Sequence, residues 1–166
     1  MIESRTRFRE AMSRLGAAVN IITTTGPLGD TGFTASAVCS VTDDPATVLV
    51  CMNRASRQHD IFQKSGVLCV NILAPADEDM AAIFAGQPDL PMPERFARAS
   101  WLRLATGAPV LESAAAALDC RISQVLEVGS HSVIFGLVQA IHLGPATSGL
   151  IYHRRTYHRL VSDKSA

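Results

Sequence analysis

The ten residues from Gly32 to Val41 read GFTASAVCSV, and six of them are glycine, alanine, serine or cysteine. Strands usually favour β-branched and aromatic residues, whereas small side chains let a flat group approach the backbone. In a continuous strand, Thr34, Ser36 and Ser40 lie on one face, which then carries three hydroxyls and little bulk. Two interpretations remain open here. The face is either a shelf for a flat heteroaromatic ring or room for another strand that crosses it in a tight barrel.

A second candidate site follows the next predicted strand, which ends at Asn53. The residues from Arg54 to Arg57 read RASR, and the pattern predicts a helix that begins at Ser56, with this serine as its N-cap. The first N–H groups of a helix, together with two arginines, bind anions such as phosphate. The other interpretation is an ordinary serine cap beside two solvated arginines. Taken with the small-residue strand, the segment predicts a site for a ring and its phosphate.

Two further places combine polar and aromatic side chains. A turn at Gly129 and Ser130 presents His131 just before an apolar strand, where a lone histidine is either structural or part of a site. Residues 152–157 read YHRRTY, a mixture of aromatic and basic residues that suits a cofactor clamp or a nucleic-acid contact. Because the net charge is zero and the sequence shows no second basic patch, we discount nucleic acid as a partner.

Several motifs that would indicate other chemistry are absent from the sequence. There is no G-x-G-x-x-G after a strand, no P-loop and no G-x-S-x-G, and the five histidines lack metal-ligand spacing, so no metal is predicted. Cys39, Cys51, Cys69 and Cys120 lie in apolar runs without a C-x-x-C pair, and we interpret them as buried, reduced thiols. The sequence has no signal peptide and no apolar stretch that could span a membrane, so we expect a cytoplasmic protein.

The elements that would position these residues are mostly strands. Apolar periodicity predicts helices over 4–15, 56–65 and 75–85, the first with Phe8, Met12 and Leu15 on one face. Alternation and β-branched residues predict strands over 17–25, 32–41, 47–53, 67–73, 118–128, 133–143 and 150–160. Since no linker or repeat interrupts them, residues 1–166 are predicted to form a single, mainly β domain of the barrel or sandwich class.

The chain resembles the short-chain NAD(P)H:flavin oxidoreductases, the flavin reductase components of two-component monooxygenases. The likeness runs from about Phe8 to Leu160. It rests on the stretches RFREAM, AAVNIITT, GFTASAVCSVTD, VCMN, LCVNIL, FAG, ERF and GLIY, which follow in the family's order and spacing. Within the family it is most similar to the 4-hydroxyphenylacetate monooxygenase reductases and the pyrimidine-utilisation flavin reductases.

The resemblance implies an FMN-binding split β-barrel of Greek-key topology with a few short helices, usually a homodimer, with FMN or FAD in a groove near the dimer interface. It implies that the segment 34–41 lies along the isoalloxazine and that 53–57 holds the ribityl chain and phosphate. His131 is expected near the nicotinamide as the catalytic histidine, although the family's Gly-Asp-His turn has Ser130 in place of the aspartate. The cofactor-binding residues that the resemblance implies are Thr34, Ala35, Ser36, Ala37, Val38, Ser40, Val41, Asn53, Ser56, Arg57, Phe84 and Tyr152.

The activity that the resemblance implies is hydride transfer from NADH or NADPH to FMN or FAD, with reduced flavin reaching a partner monooxygenase by diffusion. The flavin carries the hard chemistry, so the protein needs neither a nucleophile nor a metal. Three alternatives remain: a reductase that holds its flavin tightly and acts on another acceptor such as a corrinoid cobalt, a non-enzymatic flavin- or haem-binding module, and a pyridoxamine-phosphate oxidase-like enzyme. A charged fraction of only 18% and the long apolar strand 133–143 favour a homodimer.

Overall fold

Twelve strands and four α-helices make up the part of the chain that the computed structural model describes, residues 2–27, 29–146 and 148–160. In chain order the strands are β1 (Ala17–Ala18), β2 (Asn20–Gly26), β3 (Gly29–Ala35), β4 (Val38–Asp43), β5 (Ala46–Asn53), β6 (Val67–Ile72), β7 (Trp101–Arg103), β8 (Pro109–Leu111), β9 (Ala116–Val128), β10 (His131–Leu143), β11 (Leu150–His153) and β12 (Thr156–Arg159). The helices are α1 (Ile2–Ser13), α2 (His59–Ser65), α3 (Glu78–Phe84) and α4 (Met92–Phe96), with a 3₁₀ turn at Pro75–Asp77 before α3. The prediction of a mainly β protein is confirmed.

A seven-stranded antiparallel sheet forms the centre of the molecule, in the order β3-β2-β6-β9-β10-β5-β4. The two outer strands, β3 and β4, follow each other in the chain with only Ser36 and Ala37 between them. Three residue steps span at most about 11 Å, so the two edges of the sheet must approach each other at this corner. The sheet therefore curls around the core as a barrel does.

The main core lies inside this curled sheet. Its fully buried side chains include Ile22 of β2, Met52 of β5, Leu68 of β6 and Ile134 of β10. Phe62 of α2 closes the same cluster. A second apolar cluster lies outside the sheet, where α3 and α4 pack against β2, β8 and β11. This second cluster fixes α3 beside β3 and so positions one wall of the site described below.

The prediction of one continuous strand over 32–41 is wrong, because the structure has two strands there. Its first half, β3, pairs with β2, whereas its second half, β4, pairs with β5 on the far edge of the sheet. The Val38 N–H donates to the Ser36 C=O at 3.0 Å and tightens the bend, and the Cys51 N–H donates to the Ala37 C=O at 3.0 Å. The alternation of side chains therefore does not continue through the bend.

The helix predictions are correct in outline and wrong in some details. Helix α2 begins at His59 with Gln58 in the N-cap position, so Ser56 is not the cap. Gly66 ends that helix in the left-handed conformation, as its position in the sequence predicted. The predicted helix 75–85 is divided into the 3₁₀ turn and α3.

The first helix ends earlier than predicted, and the prediction of burial fails at two of the four cysteines. Phe8 and Met12 lie on α1 and Leu15 lies just beyond its end, and these side chains are 65%, 46% and 61% exposed, so they do not pack on the core of their own chain. All four cysteines are free thiols; Cys69 and Cys120 are buried as predicted, whereas Cys39 is exposed and Cys51 is half-buried. Among the residues that the structure describes, no helix is both long enough and apolar enough to cross a membrane.

Candidate functional site

A pocket of about 190 Å³ opens where the chain turns from β3 into β4. Small side chains of β3 and the corner form one side of it, and two tyrosines from the β11–β12 hairpin form the other. The residues that line it are Val19, Thr34, Ala35, Ser36, Ala85, Tyr152 and Tyr157. Thus three of the predicted cofactor-binding residues of the small-residue stretch, and the predicted Tyr152, lie around one cavity.

The two tyrosines are brought to the pocket by short strand pairings near the ends of the chain. Tyr152 is paired with Ala17 of β1 and, on its other side, with Tyr157 of β12. The tyrosine ring centroids are 5.2 Å apart with an interplanar angle of 56°. Burial, with smaller contributions from Tyr152 and Glu78, raises the pKa of Tyr157 above its ordinary value. Tyr157 therefore remains a neutral phenol at physiological pH and offers an apolar face with a polar tip.

Of the three hydroxyls predicted to share a face, only that of Ser36 remains at the pocket without a structural partner in the described part of the chain. The Thr34 hydroxyl donates to the Ala81 C=O at 2.6 Å and fastens α3 to β3. Ser40 lies on β4 beyond the corner, paired with Val48. At the corner, neither the Ser36 nor the Ala37 N–H donates a hydrogen bond to any described residue. The corner therefore presents two backbone donors and one hydroxyl.

The remaining residues of the small-residue stretch lie along β4. Val38 packs against the main core with its partly buried side chain. Ser40 and Val41 lie in the exposed part of β4. Ser40 is opposite Val48, five residues before Asn53, so it lies roughly 17 Å along the sheet from Asn53. The structure thus places Thr34, Ala35 and Ser36 at the pocket and Val38 at the main core, and it sets Ser40 and Val41 apart from the end of β5.

Phe84 does not reach the pocket with its side chain. It is only 2% exposed, and its ring packs in the second core cluster with centroids 5.1 Å from Phe96 and 5.8 Å from Trp101. The Phe84 side chain therefore does not line this pocket, whereas its neighbour Ala85 does, and a cofactor contact of Phe84 stays a prediction. The Phe84 ring also explains why residue 32 is a glycine, because a Cβ at this position would lie 3.1 Å from the ring.

The predicted anion site and His131 meet at one end of the sheet. Asn53, the last residue of β5, is the direct partner of His131, the first residue of β10. His131 is exposed, and its Nδ1 lies 2.9 Å from the Ser130 hydroxyl. The Cys51 N–H bond to Ala37 places the corner two residues, about 7 Å, from Asn53 along β5. The corner therefore lies between the pocket and this end of the sheet.

The loop that follows Asn53 is arranged differently from the prediction. The Asn53 side-chain oxygen accepts from the Ala55 N–H at 2.9 Å, and the Ser56 hydroxyl is 2.6 Å from the Gln58 side-chain oxygen. The Arg54 guanidinium pairs with the Glu127 carboxylate at 3.0 Å, so this arginine is engaged within the chain. Arg57 is exposed. An anion at this loop would thus meet Arg57 rather than two free arginines on a serine-capped helix.

One buried polar pair behind this loop could not be predicted from the sequence. The Nε2 atom of His59 lies 2.9 Å from the Ser132 hydroxyl, and its Nδ1 lies 3.4 Å from the Asp60 carboxylate. His59 is 6% exposed and Ser132 is 0% exposed. The pair fastens α2 to β10 directly behind His131. No sequence spacing indicates it, because 73 positions separate the two residues.

Comparison with known proteins gives a consistent result. The model of the flavin reductase like domain matches residues 12–161. The chain is 53% identical over 155 residues to the FMN reductase (NADH) RutF of Variovorax paradoxus, covering 93% of this chain and 85% of that protein. It is 51% identical over 154 residues to the RutF protein of Escherichia coli O157:H7, covering 93% of both. The crystal structure of nitrilotriacetate monooxygenase component B from Mycobacterium thermoresistibile matches with a TM-score of 0.87 and 29% identity, over 99% of this chain and 90% of that chain.

Proposed function

Since the chain belongs to the flavin reductase like domain family, we propose that it is an NADH-dependent flavin reductase that passes hydride from NADH to FMN. The observation that carries the proposal is the pocket at the corner of Ser36 and Ala37, which lies in the stretch that carries the family likeness. The likeness to two proteins named FMN reductase (NADH), at 53% and 51% identity over nearly the whole chain, supports both the flavin and the nucleotide.

The residues at the corner fit a flavin. An isoalloxazine ring is flat and is rimmed by carbonyl oxygens and ring nitrogens that accept hydrogen bonds. The corner offers the N–H groups of Ser36 and Ala37 and the Ser36 hydroxyl, which suit such a rim. Ala35 leaves room for the ring beside the backbone. The corner is hydrogen-bonded to Cys51 of β5. Asn53 ends that strand and the exposed Arg57 lies four residues later, so these two residues suit the ribityl chain and the phosphate.

The protein's own contribution is to bind, orient and exclude water. When bound, the flavin accepts the hydride and supplies the redox chemistry, so the chain needs no nucleophile and no metal. Tyr152 and Tyr157 line the pocket, and their rings would shield a bound flavin ring from water. His131, with its Nδ1 beside the Ser130 hydroxyl, is held so that its Nε2 faces away from Ser130 and can orient the nicotinamide. Holding two rings at reaction distance is a large part of such catalysis.

The reduced flavin leaves by diffusion and serves a partner monooxygenase. The likeness to nitrilotriacetate monooxygenase component B supports a partner of this class. The reductase acts as a homodimer, which is supported by exposed apolar side chains on β4, β9 and β10: Val41, Leu126, Val128, Ile141 and Leu143. It works in the cytoplasm, which is supported by the four free thiols of the chain.

The experiment is one assay on the purified protein. The absorbance spectrum is recorded first, and NADH is then added under air with FMN, FAD or riboflavin while the NADH band is followed. We expect rapid NADH oxidation with added FMN and slower oxidation with FAD. A tightly bound yellow chromophore that NADH bleaches, without turnover of free flavin, would instead indicate a reductase for another acceptor. A protein that binds no flavin would contradict the proposal altogether.

A further inference from the structure

A second groove, of about 590 Å³, lies between α1 and the β11–β12 hairpin. It shares Ser36 and Tyr152 with the first pocket, so the two are continuous. Two arginines, Arg9 and Arg155, are among the residues that line it. The first pocket offers small residues and aromatic rings, whereas this neighbouring groove offers positive charge. Together they suit a ligand with a ring at one end and an anionic group at the other.

The turn that carries Arg155 adopts an unusual backbone conformation. Arg154 and Arg155 connect β11 to β12, and both have positive φ angles, 49° and 64°. Such a two-residue turn normally contains asparagine and glycine, because other residues are strained at positive φ. Here α1 holds it: the Arg154 N–H donates to the Ser13 C=O at 2.6 Å, and the Arg155 guanidinium pairs with the Glu10 carboxylate at 3.1 Å. Strain that the surroundings maintain is typical of functional sites.

Positive charge is concentrated around this groove, although the chain as a whole is neutral. Residues 1–15 contain four arginines and two glutamates, and the turn adds Arg154 and Arg155. Of these residues Arg9 and Arg155 line the groove, and among the described residues Glu10 is the carboxylate that pairs with Arg155. Within the described part of the chain, no carboxylate lies within 4.0 Å of the Arg9 guanidinium. Arg155 gives only part of its five N–H donors to Glu10.

We propose that Arg9 and Arg155 bind the pyrophosphate of the pyridine nucleotide, while its nicotinamide reaches the flavin ring held at the corner of Ser36 and Ala37. The proposal rests on the proposed function, since it names the part of NADH that this groove receives. The flavin phosphate is a less suitable occupant because its proposed partners, Asn53 and Arg57, follow β5, whereas this groove lies against α1 and the β11–β12 hairpin. A pyrophosphate carries two negative charges, which matches a pair of guanidinium groups.

The first test measures binding without catalysis. ADP-ribose carries the pyrophosphate but no nicotinamide, and its affinity is measured by calorimetry for the protein and for Arg9→Gln, Arg155→Asn and Arg155→Lys. Asparagine is chosen because it tolerates positive φ. We expect each charge-removing variant to bind about tenfold more weakly, the loss of one charge-assisted hydrogen bond. Arg155→Lys should retain more of the affinity, and Arg7→Gln, which removes a charge from the same helix, is the matched control and should stay within about twofold.

The second test identifies which substrate carries the phosphate. Steady-state rates are compared for NADH against dihydronicotinamide riboside, which lacks phosphate, and for FMN against riboflavin. Arg9→Gln and Arg155→Asn should raise the KM for NADH about tenfold and leave rates with the riboside unchanged. Variants that lost the preference for FMN over riboflavin would assign the groove to the flavin phosphate and overturn the proposal.

Failure of the proposed function remains distinguishable from failure of this inference. If the protein binds ADP-ribose through the two arginines but oxidises no NADH with any flavin, the groove is a pyrophosphate site and the proposed function is wrong. If the protein reduces FMN with NADH but all variants bind ADP-ribose equally well, or if the unmodified protein does not bind it, the inference about Arg9 and Arg155 is wrong. Thermal unfolding of each variant verifies that it is folded before either comparison is made.

Discussion

Replacing His59 by phenylalanine should destabilise the protein and disturb the site in front of it. The Nε2 atom of His59 is 2.9 Å from the Ser132 hydroxyl, and Ser132 is 0% exposed. Phenylalanine is close to histidine in shape but cannot bond to the hydroxyl, which would be left in the core without its histidine partner. Ser132 directly follows His131, so a shift of this part of β10 moves the histidine that we propose to orient the nicotinamide.

The magnitude follows from the burial of both partners. Leaving a buried hydroxyl without a partner costs about 1–3 kcal/mol. For a chain of this size, each kcal/mol of lost stability lowers the melting temperature by roughly 2–4 °C. A loss of about 2 kcal/mol in His59→Phe should therefore lower it by roughly 4–8 °C. Ser132→Ala should cost about 1–2 kcal/mol, because it leaves the His59 Nε2 without the hydroxyl. The double variant lacks both groups, so its loss should be smaller than the sum by about 1–2 kcal/mol.

The assay is a double-mutant cycle from urea unfolding at one fixed protein concentration, since the stability of the proposed dimer would depend on concentration. The same four proteins are then compared in KM for NADH and in kcat. We expect the KM to rise more than kcat falls, because the change displaces an orienting group. His142→Phe is the matched control: this partly exposed histidine lies at the other end of β10, and its loss should cost less than about 0.5 kcal/mol. Losses that add within about 0.5 kcal/mol would refute the coupling between His59 and Ser132.

Three further predictions concern other parts of the structure. Gly32→Ala should lower the free energy of unfolding by about 1–3 kcal/mol, because its Cβ would lie 2.8 Å from the Ile22 C=O; Gly16→Ala, whose Cβ has ordinary contacts, is the control, and equal stability of the two variants would contradict the reasoning. His131→Ala should raise the KM for NADH more than it lowers kcat, and a folded but fully inactive variant would show that the histidine does more than orient. Burial raises the pKa of Cys120 from about 9 to about 12, so the unfolded state loses this proton first and stability should fall as the pH rises through that range. Cys120→Ala should show a shallower decline in urea midpoint over the same range, and an unchanged slope would exclude this thiol as a cause.

The sequence predicted the elements whose signals are local. The long apolar run 133–143 forms most of β10, and the β-branched run 47–53 forms most of β5. Gly66 was recognised as a helix end because the residue after a helix so often needs a positive φ. The family and its split-barrel fold were recognised from eight short stretches in order, and both are confirmed by the family match over residues 12–161 and by the TM-score of 0.87 with a monooxygenase component.

The sequence could not show which strands become neighbours. The alternation of side chains along residues 32–41 looks the same in the sequence whether the strand continues or bends. It shows only which residues would share a face of a continuous strand. The bend at Ser36 and Ala37 depends on two other strands. β2 pairs with β3 at one edge of the sheet, and β5 pairs with β4 at the other edge. The basic groove was missed for a similar reason: Arg9 and Arg155 are 146 positions apart, and only the pairing of β11 with β1 brings them together.

The small residues of GFTASAVCSV have different causes at different positions. Gly32 is small because β2 and Phe84 pack against it, with the Ile22 C=O only 2.8 Å from where a Cβ would lie. Ala35 and Ser36 are small where the chain lines the pocket, and Ala37 lies where the chain changes from one edge of the sheet to the other. The packing of β3 on β2 and Phe84 therefore accounts for Gly32, while a ring-binding role for Ala35 and Ser36 stays a prediction. The packing at Gly32 and the hydrogen bond from Thr34 to the Ala81 C=O fix β3 against α3, and the corner that follows β3 begins one residue after Ala35.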